Sequence, residues 1–338
     1  MINLANFEEL MDYSANAETQ TMFSKGITHF RRAKDKKIAV AISGGSDSDI
    51  VLDVVEHLRD GHDITYVFYN TGLEYDATKQ HLKYLEDKYN IKILEEKAIK
   101  PIPTCCQQYG VPFLSKYVSE MISRLQAHNF QWEDEPYEVL IKKYPNCQVA
   151  LKWWCNANPP KKNGDPSSFN IGKDRLLKEF MIANPPTVKI SNKCCHYAKK
   201  LPAEKFLTKG GYGLNITGVR QAEGGIRSRE YSTCFYSSTD SSKDYDIWMP
   251  LFWFSDKDKK EYDDFCGIIH SDCYVIYGLT RTGCAGCPFN SDFEEELIVI
   301  EKCEPRLYKA VMNIFGQSYE YARAFKKFKE EYRKKRKD

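Results

Sequence analysis

One short loop constrains the fold of this chain more than any other segment. The sequence Ser43-Gly44-Gly45-Ser46-Asp47-Ser48 lies between an apolar run that ends at Ile42 and an amphipathic stretch that begins at Ile50. Adjacent glycines let backbone N–H groups approach an anion closely, hydroxyl groups add donors, and a following helix points its positive N-terminal end at the same place. The pattern therefore predicts a strand, a phosphate-binding loop and a helix.

The loop is not the common phosphate loop, because it lacks the lysine of the pattern G-x-x-x-x-G-K-[ST]. The alternative is an ordinary Ser/Gly turn capped by Asp47, which the flanking strand and helix patterns disfavour. The β-α-β-α-β pattern continues through residues 37–94, with further strands at Ile64–Tyr69 and Ile91–Leu94. This alternation predicts an α/β fold with a doubly wound parallel sheet, whose ligands bind at the carboxyl ends of the strands.

We predict three regions along the chain. Residues 1–36 form an N-terminal helical extension, residues 37–290 form the domain that contains the phosphate-binding loop, and residues 291–338 form a helical C-terminal region. Within the domain, repeated prolines interrupt the alternation between about 95 and 210. The pattern there predicts a mostly helical insertion.

Charge and hydropathy limit the kinds of partner that this chain can bind. The 338 residues include 49 basic and 47 acidic side chains, and the formal net charge of +2 gives no global attraction to nucleic acid or anionic lipid. No apolar run approaches the roughly 20 residues needed to cross a bilayer, and the first residues lack the order of a signal peptide. We therefore expect a cytoplasmic location and no membrane partner. In that reducing compartment, clustered cysteines indicate metal binding or redox chemistry.

Two cysteine motifs supply four thiolates. Cys194-Cys195 is an adjacent pair, and Cys284 and Cys287 form a C-x-x-C turn. Four thiolates suit zinc or a 4Fe-4S cluster, and adjacent cysteines suit the several irons of a cluster better than one tetrahedral ion. The pattern favours the cluster, with zinc and unligated thiols as alternatives. A second adjacent pair, Cys105-Cys106, has no C-x-x-C turn of its own, and we interpret it as buried apolar thiols.

Five ordered motifs resemble those of one family. The loop is similar to the PP-loop of the ATP pyrophosphatase and PAPS reductase superfamily, and the cysteine order resembles that of cluster-binding adenylyl-sulfate reductases. Asn70–Thr78 is similar to D-T-G-x-x-F-P-E-T with Asn70 in place of Asp, and Thr217–Arg227 resembles G-x-R-x-x-E-x-x-x-R. Met249–Asp258 is similar to P-L-x-x-W-[ST]-x-x-D, with Phe254 at the tryptophan position. The chain is identified as a member of the PAPS reductase family, with an adenine nucleotide alpha hydrolase-like fold.

The resemblance implies the residues of the site. Those expected to bind the nucleotide are Ser43, Gly44, Gly45, Ser46, Asp47, Ser48, Thr71, Gly72, Gly218 and Arg220. Those expected to act in catalysis are Asp47, Arg220, Glu223 and Arg227. Guanidinium groups can clamp a phosphate or sulfate bidentately, with Glu223 orienting one of them, and the alternative is a surface ion-pair loop. The expected metal ligands are Cys194, Cys195, Cys284 and Cys287.

Two reactions fit this family. In sulfonucleotide reduction, a cysteine thiolate attacks the sulfur of adenylyl sulfate or PAPS. In the other reaction, ATP is split at the α-phosphate, an acceptor is adenylylated, and sulfur then displaces AMP. The reductases carry their nucleophile in a C-terminal Glu-Cys-Gly-x-His element, whereas Cys303 is the only cysteine after Cys287 and lacks those neighbours. We favour ATP-dependent sulfur transfer, with reduction and a non-catalytic nucleotide-sensing subunit as alternatives.

The same resemblance implies the cofactors and partners. The expected cofactors are a 4Fe-4S cluster and ATP, or PAPS or adenylyl sulfate in its place, together with Mg²⁺. A cysteine desulfurase is the expected type of sulfur donor and a nucleic acid is one candidate acceptor. A homodimer is compatible with the sequence.

Overall fold

The computed structural model describes residues 16–224, 231–240 and 243–335. The predicted catalytic residue Arg227 and the first part of the predicted N-terminal extension lie outside these ranges. Among the described residues, no helix combines the length and the apolar character that crossing a bilayer requires.

The chain forms two compact units. The first, here the sheet unit, comprises Met1–Ile99 and Ala198–Cys284. The second, here the helical unit, comprises Lys100–Tyr197 and Ala285–Asp338. Residues 100–197 of the predicted insertion therefore fall in one unit with the predicted C-terminal region, a pairing that the sequence pattern does not reveal. Residues 198–210, also predicted as part of the insertion, belong to the sheet unit instead.

A six-stranded sheet forms the centre of the sheet unit. Its strands in chain order are β1 (Lys37–Ala41), β2 (Ile64–Asn70), β3 (Ile93–Lys97), β4 (Tyr212–Ile216), β5 (Phe235–Tyr236) and β6 (Asp246–Trp248). The order across the sheet is β3-β2-β1-β4-β6-β5. All neighbouring strands are parallel except β5 and β6. The predicted α/β fold with a parallel sheet is confirmed, and one antiparallel edge strand is added to it.

The helices fall into two sets. The sheet unit contains α1 (Ala17–Arg32), α2 (Ser46–Leu58), α3 (Asp76–Tyr89), α10 (Leu201–Gly210), α11 (Asp256–Cys266) and α12 (Asp272–Val275). The helical unit contains α4 (Ile102–Tyr109), α5 (Lys116–Ala127), α6 (Tyr137–Lys143), α7 (Gln148–Trp154), α8 (Leu177–Ala183), α9 (Lys193–Cys195), α13 (Phe293–Cys303) and α14 (Pro305–Lys334). Short 3₁₀ turns lie at Pro145–Cys147, Ile171–Lys173, Gln221–Glu223 and Ser238–Asp240, and a π-helical turn lies at His196–Lys200.

The central strand β1 is buried on both faces. Ile38 and Val40 pack into one apolar cluster, whereas Ala39, which points the opposite way, packs into another with Leu207. The first cluster also contains Phe23 of α1, which is fully buried. Helix α1 is therefore part of the core of the sheet unit and not an extension from it.

The helical unit has its own aromatic core. The ring of Phe180 on α8 lies 5.0 Å from that of Tyr321 and 5.1 Å from that of Phe325, both on α14. The hydroxyl of Ser318 donates to the carbonyl of Pro112. An amphipathic helix must bury its apolar face, and α14 does so against residues of the predicted insertion. This packing explains why the division of the chain differs from the predicted boundary at residue 291.

Candidate functional site

The predicted phosphate loop lies where the sheet topology places a ligand site. The chain leaves β1 toward β2 on one side, and β4 later adds to the other side of β1. In open α/β sheets this reversal of strand order leaves a crevice at the carboxyl ends of the strands. The loop spans the end of β1 at Ala41 and the first turn of α2, which begins at Ser46.

Hydrogen bonds within the loop fix its shape. The hydroxyl of Ser48 accepts from the backbone N–H groups of Ser43 (3.2 Å) and Gly45 (3.1 Å) and donates to the carbonyl of Gly45 (2.7 Å). Gly44 has φ +67°, and a Cβ atom there would lie 2.7 Å from Cγ2 of Thr78. Both the backbone angle and the close packing therefore require glycine at this position.

A cavity of about 420 Å³ opens at this loop, within the sheet unit. Small-molecule sites typically have volumes of about 300–1,000 Å³, so the cavity is large enough for a nucleotide. Its wall contains seven of the residues predicted to bind the nucleotide, namely Ser43, Gly45, Ser46, Asp47, Ser48, Gly218 and Arg220. Glu223, predicted to act in catalysis, also lines it.

Asp47 lies between two cations in this wall. Its carboxylate accepts from Nζ of Lys259 at 2.7 Å and from Nε of Arg220 at 3.0 Å. Burial alone would raise the pKa of Asp47, but Lys259 and Arg220 outweigh burial and hold the pKa below its usual value. Asp47 is therefore ionised at neutral pH. Arg220 and Lys259 thus flank the Asp47 carboxylate at the cavity wall, where their positive charges can attract a phosphate.

Arg220 is fixed by a second carboxylate. It is 7% exposed, and its Nη1 donates to Oδ1 of Asp256 at 2.9 Å. Burial disfavours the charged guanidinium, but Asp47 and Asp256 raise the pKa of Arg220 above its usual value. The Asp256 side chain is 88% exposed, so water screens its charge far more than that of Asp47. Arg220 is thus held rigidly at the cavity wall.

Lys259 is a site residue that the sequence analysis missed. It lies in the first turn of α11, where Ser255 and Asp258 form a capping box. Its ammonium group also donates to the hydroxyl of Ser46. A lysine in the first turn opposes the helix dipole, but Lys257 lies in the same turn and pairs with Glu261 of its own helix. The sequence therefore holds no signal that distinguishes Lys259 or identifies Asp47 as its partner.

Tyr274 and Thr282 are further residues that no motif indicated. The hydroxyl of Tyr274 accepts from the backbone N–H of Ser46 at 3.2 Å and lies 2.8 Å from the hydroxyl of Thr282. All three residues line the cavity. The Tyr274 hydroxyl oxygen therefore marks a point where a phosphate oxygen could accept from the same N–H group.

Some predicted residues lie behind the cavity wall. Thr71 is fully buried, and its N–H and hydroxyl both donate to Oε1 of Glu74, which lines the cavity. Gly72 follows it in the turn after β2, and its N–H donates to Oδ1 of Asn70 at 2.8 Å. Thr71 and Gly72 thus position the cavity wall at Glu74. At Gly218, a Cβ atom would lie 3.3 Å from the backbone carbon of Asp47, so a larger residue would press on the loop.

A charged network lies under the first turn of α2. Asp49 is 1% exposed; its Oδ1 lies 3.0 Å from Nε2 of His81 and its Oδ2 lies 2.8 Å from Nδ1 of His270. Nε2 of His270 lies 3.1 Å from Oδ2 of Asp263. Burial lowers the pKa of His270, but Asp263 and Asp49 more than compensate and raise it to about 9. His270 is therefore protonated at neutral pH and holds Asp49 in place.

The helical unit contains a group of neighbouring thiols. Cys194 on α9 is 5% exposed, and its thiol forms hydrogen bonds with those of Cys106 and Cys195, with Cys287 near enough to act on it electrostatically. The bond to Cys106 first, and burial after it, raise the pKa of the Cys194 thiol. Three predicted metal ligands, Cys194, Cys195 and Cys287, are thus gathered together with Cys106. Cys284 is the last residue of the sheet unit.

The donor chemistry of this thiol group fits an iron–sulfur cluster. Thiolates are the ligands of 4Fe-4S clusters, which distribute four of them over several irons. Among the described residues, no three His, Cys, Asp or Glu side chains are arranged to hold one metal ion. All twelve cysteines lie in the described ranges, and none forms a disulfide. Three of the four predicted cluster ligands lie in this thiol group, which consists of Cys106, Cys194, Cys195 and Cys287.

Comparisons with known proteins give distant likenesses. No family model matches the chain. An uncharacterized protein of Methanocaldococcus jannaschii is 31% identical over 122 residues, which cover 35% of this chain and 25% of that protein. The chain thus spans about a quarter of the length of this relative.

Three solved structures are similar to the chain at 12% identity each. Phosphoadenylyl-sulfate reductase from Candida auris has a TM-score of 0.41, with 84% of this chain and 96% of that chain covered. The U34-tRNA thiolase NcsA from Methanococcus maripaludis, solved with its [4Fe-4S] cluster, has a TM-score of 0.36, with 91% and 80% covered. NH₃-dependent NAD synthetase from Campylobacter jejuni has a TM-score of 0.31, with 89% and 95% covered. With TM-scores below 0.5, the candidate site is assigned from its own geometry.

Proposed function

We propose that this chain is an enzyme of the PP-loop superfamily that splits ATP at the α-phosphate and adenylylates an acceptor for sulfur transfer. We further propose that it carries a 4Fe-4S cluster. The observation that carries the first proposal is the cavity at the loop. There the N-terminal end of α2, the backbone of Gly45 and Ser46, and the cations Arg220 and Lys259 converge on one anion-binding space.

The loop can exchange one of its acceptors for a phosphate oxygen. The N–H groups of Gly45 and Ser46 now donate to the hydroxyl oxygens of Ser48 and Tyr274. Tyr274 lies on the cavity wall, so a phosphate that displaces its side chain would accept from the Ser46 N–H in its place, while the Ser48 hydroxyl keeps the shape of the loop. Arg220 and Lys259 would stabilise the charge that develops on the α-phosphate and on the departing pyrophosphate.

The proposed reaction balances without a redox partner. An oxygen of the acceptor attacks the α-phosphorus, the new oxygen–phosphorus bond forms, and the bond to the β-phosphate oxygen breaks with its electron pair on pyrophosphate. Hydrosulfide then attacks the activated carbon of the acceptor, the carbon–sulfur bond forms, and the carbon–oxygen bond breaks with its electron pair on AMP; a persulfide donor would in addition need a thiol reductant that supplies two electrons. The loop residues hold the nucleotide in line for the first step, which is the positioning that phosphoryl and nucleotidyl transfer requires.

The cysteine motifs support the cluster. The sequence-predicted ligands are Cys194, Cys195, Cys284 and Cys287, and Cys194, Cys195 and Cys287 lie in the thiol group. When bound, the cluster would supply irons that bind sulfur ligands. The expected measurement is about four irons per chain in anaerobically purified protein, with broad absorption near about 400 nm. A colourless protein with one zinc per chain would contradict the cluster.

The preference for ATP over a sulfonucleotide rests on the missing nucleophile. Cys303, at the end of α13, lacks the flanking residues of the reductase element. The test measures pyrophosphate release from ATP and Mg²⁺ with nucleic-acid and small-molecule acceptors, in the presence of a cysteine desulfurase. It measures in parallel the sulfite released from adenylyl sulfate or PAPS with thioredoxin. Pyrophosphate without sulfite is expected.

Arg220→Met should lower pyrophosphate release by about 100-fold, the usual scale for one preorganised donor at a developing charge. Arg59→Met is the matched control, because Arg59 is 44% exposed on the same unit and pairs with Glu56.

Sulfite production that is lost in Cys303→Ser would show a reductase. ATP binding without turnover on any acceptor would indicate a nucleotide sensor.

A further inference from the structure

The near-neutral charge of the whole chain conceals a difference between its two units. The helical unit carries 25 Lys and Arg residues against 18 Asp and Glu, whereas the sheet unit carries 24 against 29. The helical unit is therefore the basic one, although the formal net charge of the chain is only +2. A basic unit attracts a polyanion most strongly where its charges gather on one surface, so the positions of these side chains are decisive.

The last turns of α14 bring lysines to the surface of the helical unit. Phe325 is buried there, and its ring lies 5.1 Å from that of Phe180 on α8. Nζ of Lys329 lies 4.4 Å from the ring centroid of Phe325, so Lys329 lies beside the packing of α14 on α8. Lys326 is exposed and lies three residues earlier on the same face of α14. Two cations of α14 therefore lie close to α8.

The segment that leads into α8 adds two more cations. Lys173 and Arg175 are exposed, and α8 begins at Leu177. Lys173 and Lys329 both lie near enough to Asp174 to lower its pKa, although burial raises this pKa by more. Within the described ranges, neither Lys173 nor Arg175 has a carboxylate oxygen within 4.0 Å. Both cations are therefore available to a ligand.

An exposed aromatic ring lies in the same segment. Phe169 is 58% exposed, and the centroid of its ring lies 5.5 Å from that of Tyr117. The hydroxyl of Tyr117 and the side-chain amide of Asn158 both donate to the carbonyl of Phe169, at 3.1 Å and 2.8 Å. Phe169 is therefore held in place while most of its surface faces solvent. An exposed ring among cations is the arrangement on which proteins stack the bases of single-stranded nucleic acids.

The loop before Phe169 carries further cations. The N–H of Asn158 donates to Oδ1 of Asn170 at 3.1 Å, which closes the base of the loop. Lys161 and Lys162 are exposed on the loop, three and four residues after Asn158. Four residues span at most about 14 Å, so both lysines stay near the base of the loop and near Phe169.

We propose that this surface, here the basic face, binds a single-stranded nucleic acid, with phosphates on its cations and a base stacked on Phe169. The cations of the basic face are Lys161, Lys162, Lys173, Arg175, Lys326 and Lys329. The inference rests on the proposed function and specifies its acceptor as a nucleic-acid strand. A basic helix end alone is most often only solvated, but here cations from three segments lie around a fixed ring.

The experiment measures the binding of fluorescent RNA and DNA strands of about 20 nucleotides to the full-length chain, by anisotropy at several salt concentrations. Dissociation constants of about 1–10 µM are expected at about 0.1 M salt. Each phosphate contact contributes about 0.7 to the log–log salt dependence. Lys173→Gln combined with Arg175→Gln should therefore lower that slope by about 1.4 and weaken binding about tenfold.

Arg306→Gln combined with Lys309→Gln is the matched control. It removes the same charge from exposed residues of α14 that lie about 30 Å or more along the helix from Lys329. This control should bind both strands like wild type. Circular dichroism and ATP affinity should be unchanged in all variants, because the cavity lies within the sheet unit.

Phe169→Ala separates stacking from charge. It should weaken the binding of a strand about tenfold, the scale of one base stacked on an aromatic ring, and leave the salt slope unchanged. A duplex of the same length should bind more weakly than either strand, because its bases are already stacked on each other. Unchanged strand binding in Phe169→Ala, or tighter binding of the duplex, overturns the assignment to a single strand.

The remaining outcomes separate this inference from the proposed function. Dissociation constants above about 100 µM for both strands, or equal losses in the two double variants, overturn the basic face. Binding to vesicles of phosphatidylserine without binding to either strand also overturns it. Strand binding without pyrophosphate release on any acceptor rejects adenylylation and supports the basic face. Pyrophosphate release on a small-molecule acceptor without strand binding rejects this inference alone.

Discussion

The phosphate loop and the thiol group differ in what holds them together. The loop takes its shape from bonds among Ser43, Gly45 and Ser48, which are neighbours in the sequence. The thiol group brings together three segments that are distant in the sequence, and helix packing fixes their positions. A site that is formed by local backbone geometry can be identified from a sequence motif. A site that is formed by packing of distant segments can be identified from the sequence only in part.

The largest effect is expected where packing alone supports the thiol group. Alanine at Gly110 would need φ +106° and would place its Cβ 2.3 Å from the carbonyl oxygen of Lys189. The backbone hydrogen bond from the N–H of Val111 to the carbonyl of Lys189 should break. The free energy of unfolding should fall by about 4 kcal/mol, as the sum of backbone strain and overpacking. Chemical denaturation measures this loss, and the iron content should fall although no thiol is changed.

Gly164→Ala is the matched control in the same unit. Gly164 has φ +85°, but no atom lies within 4 Å of the position of its Cβ. This variant should lose only the strain of the left-handed backbone, about 1 kcal/mol, and keep its iron. Equal losses of unfolding free energy and iron in Gly110→Ala and Gly164→Ala would contradict the role of the hydrogen bond between Val111 and Lys189.

The next effect concerns the charged network under the loop. Because the folded protein raises the pKa of His270 from 6.5 to about 9, the protonated form stabilises the fold. This contribution is fully present below about pH 6.5 and is lost as the pH rises through about 9, by about 3 kcal/mol. The free energy of unfolding, measured by urea denaturation between these pH values, should fall, and His270→Gln should flatten the decline. An unchanged slope in His270→Gln would contradict the assignment.

A smaller effect is expected on nucleotide binding at the loop. Lys259→Met removes one of the two cations that neutralise Asp47, so ATP affinity should fall about 100-fold, or about 2.7 kcal/mol. Calorimetry measures the affinity. Lys260→Met is the control, since the Lys260 side chain is 75% exposed and pairs with Asp264. If both variants bind ATP like wild type, the cavity is not the phosphate site.

The smallest effect tests whether local backbone shape defines the loop. Gly44→Ala would force a side chain onto φ +67° and against Thr78, so ATP affinity should fall about tenfold. Gly61 has a similar φ, +75°, but no atom lies within 4 Å of the position of a Cβ there. The Gly61→Ala variant should therefore bind ATP normally. A tenfold loss in both variants would mean that general strain, and not the loop, weakens binding.

The sequence predicted the loop and the parallel sheet because both follow from short-range rules. Glycines, hydroxyl side chains and an apolar run identify a strand-loop-helix unit, and the sheet needs only alternating periodicities. The side chains that pair with Asp47 could not be predicted from such short-range rules. Arg220 and Lys259 come from the turn after β4 and from α11, and only the strand order brings those segments to the loop.

The same limit applies to the cysteines. The spacing of Cys284 and Cys287 is a strong local signal, and Cys106, adjacent to Cys105, gave no comparable one. The sequence by itself determined the α/β fold and the position of the glycine-rich loop between β1 and α2. Only the tertiary structure decided which cations meet Asp47, which thiols meet Cys194, and that the last helix shares a core with the insertion. Those contacts depend on how side chains far apart in the chain fill a common space, and no periodicity in the sequence encodes that.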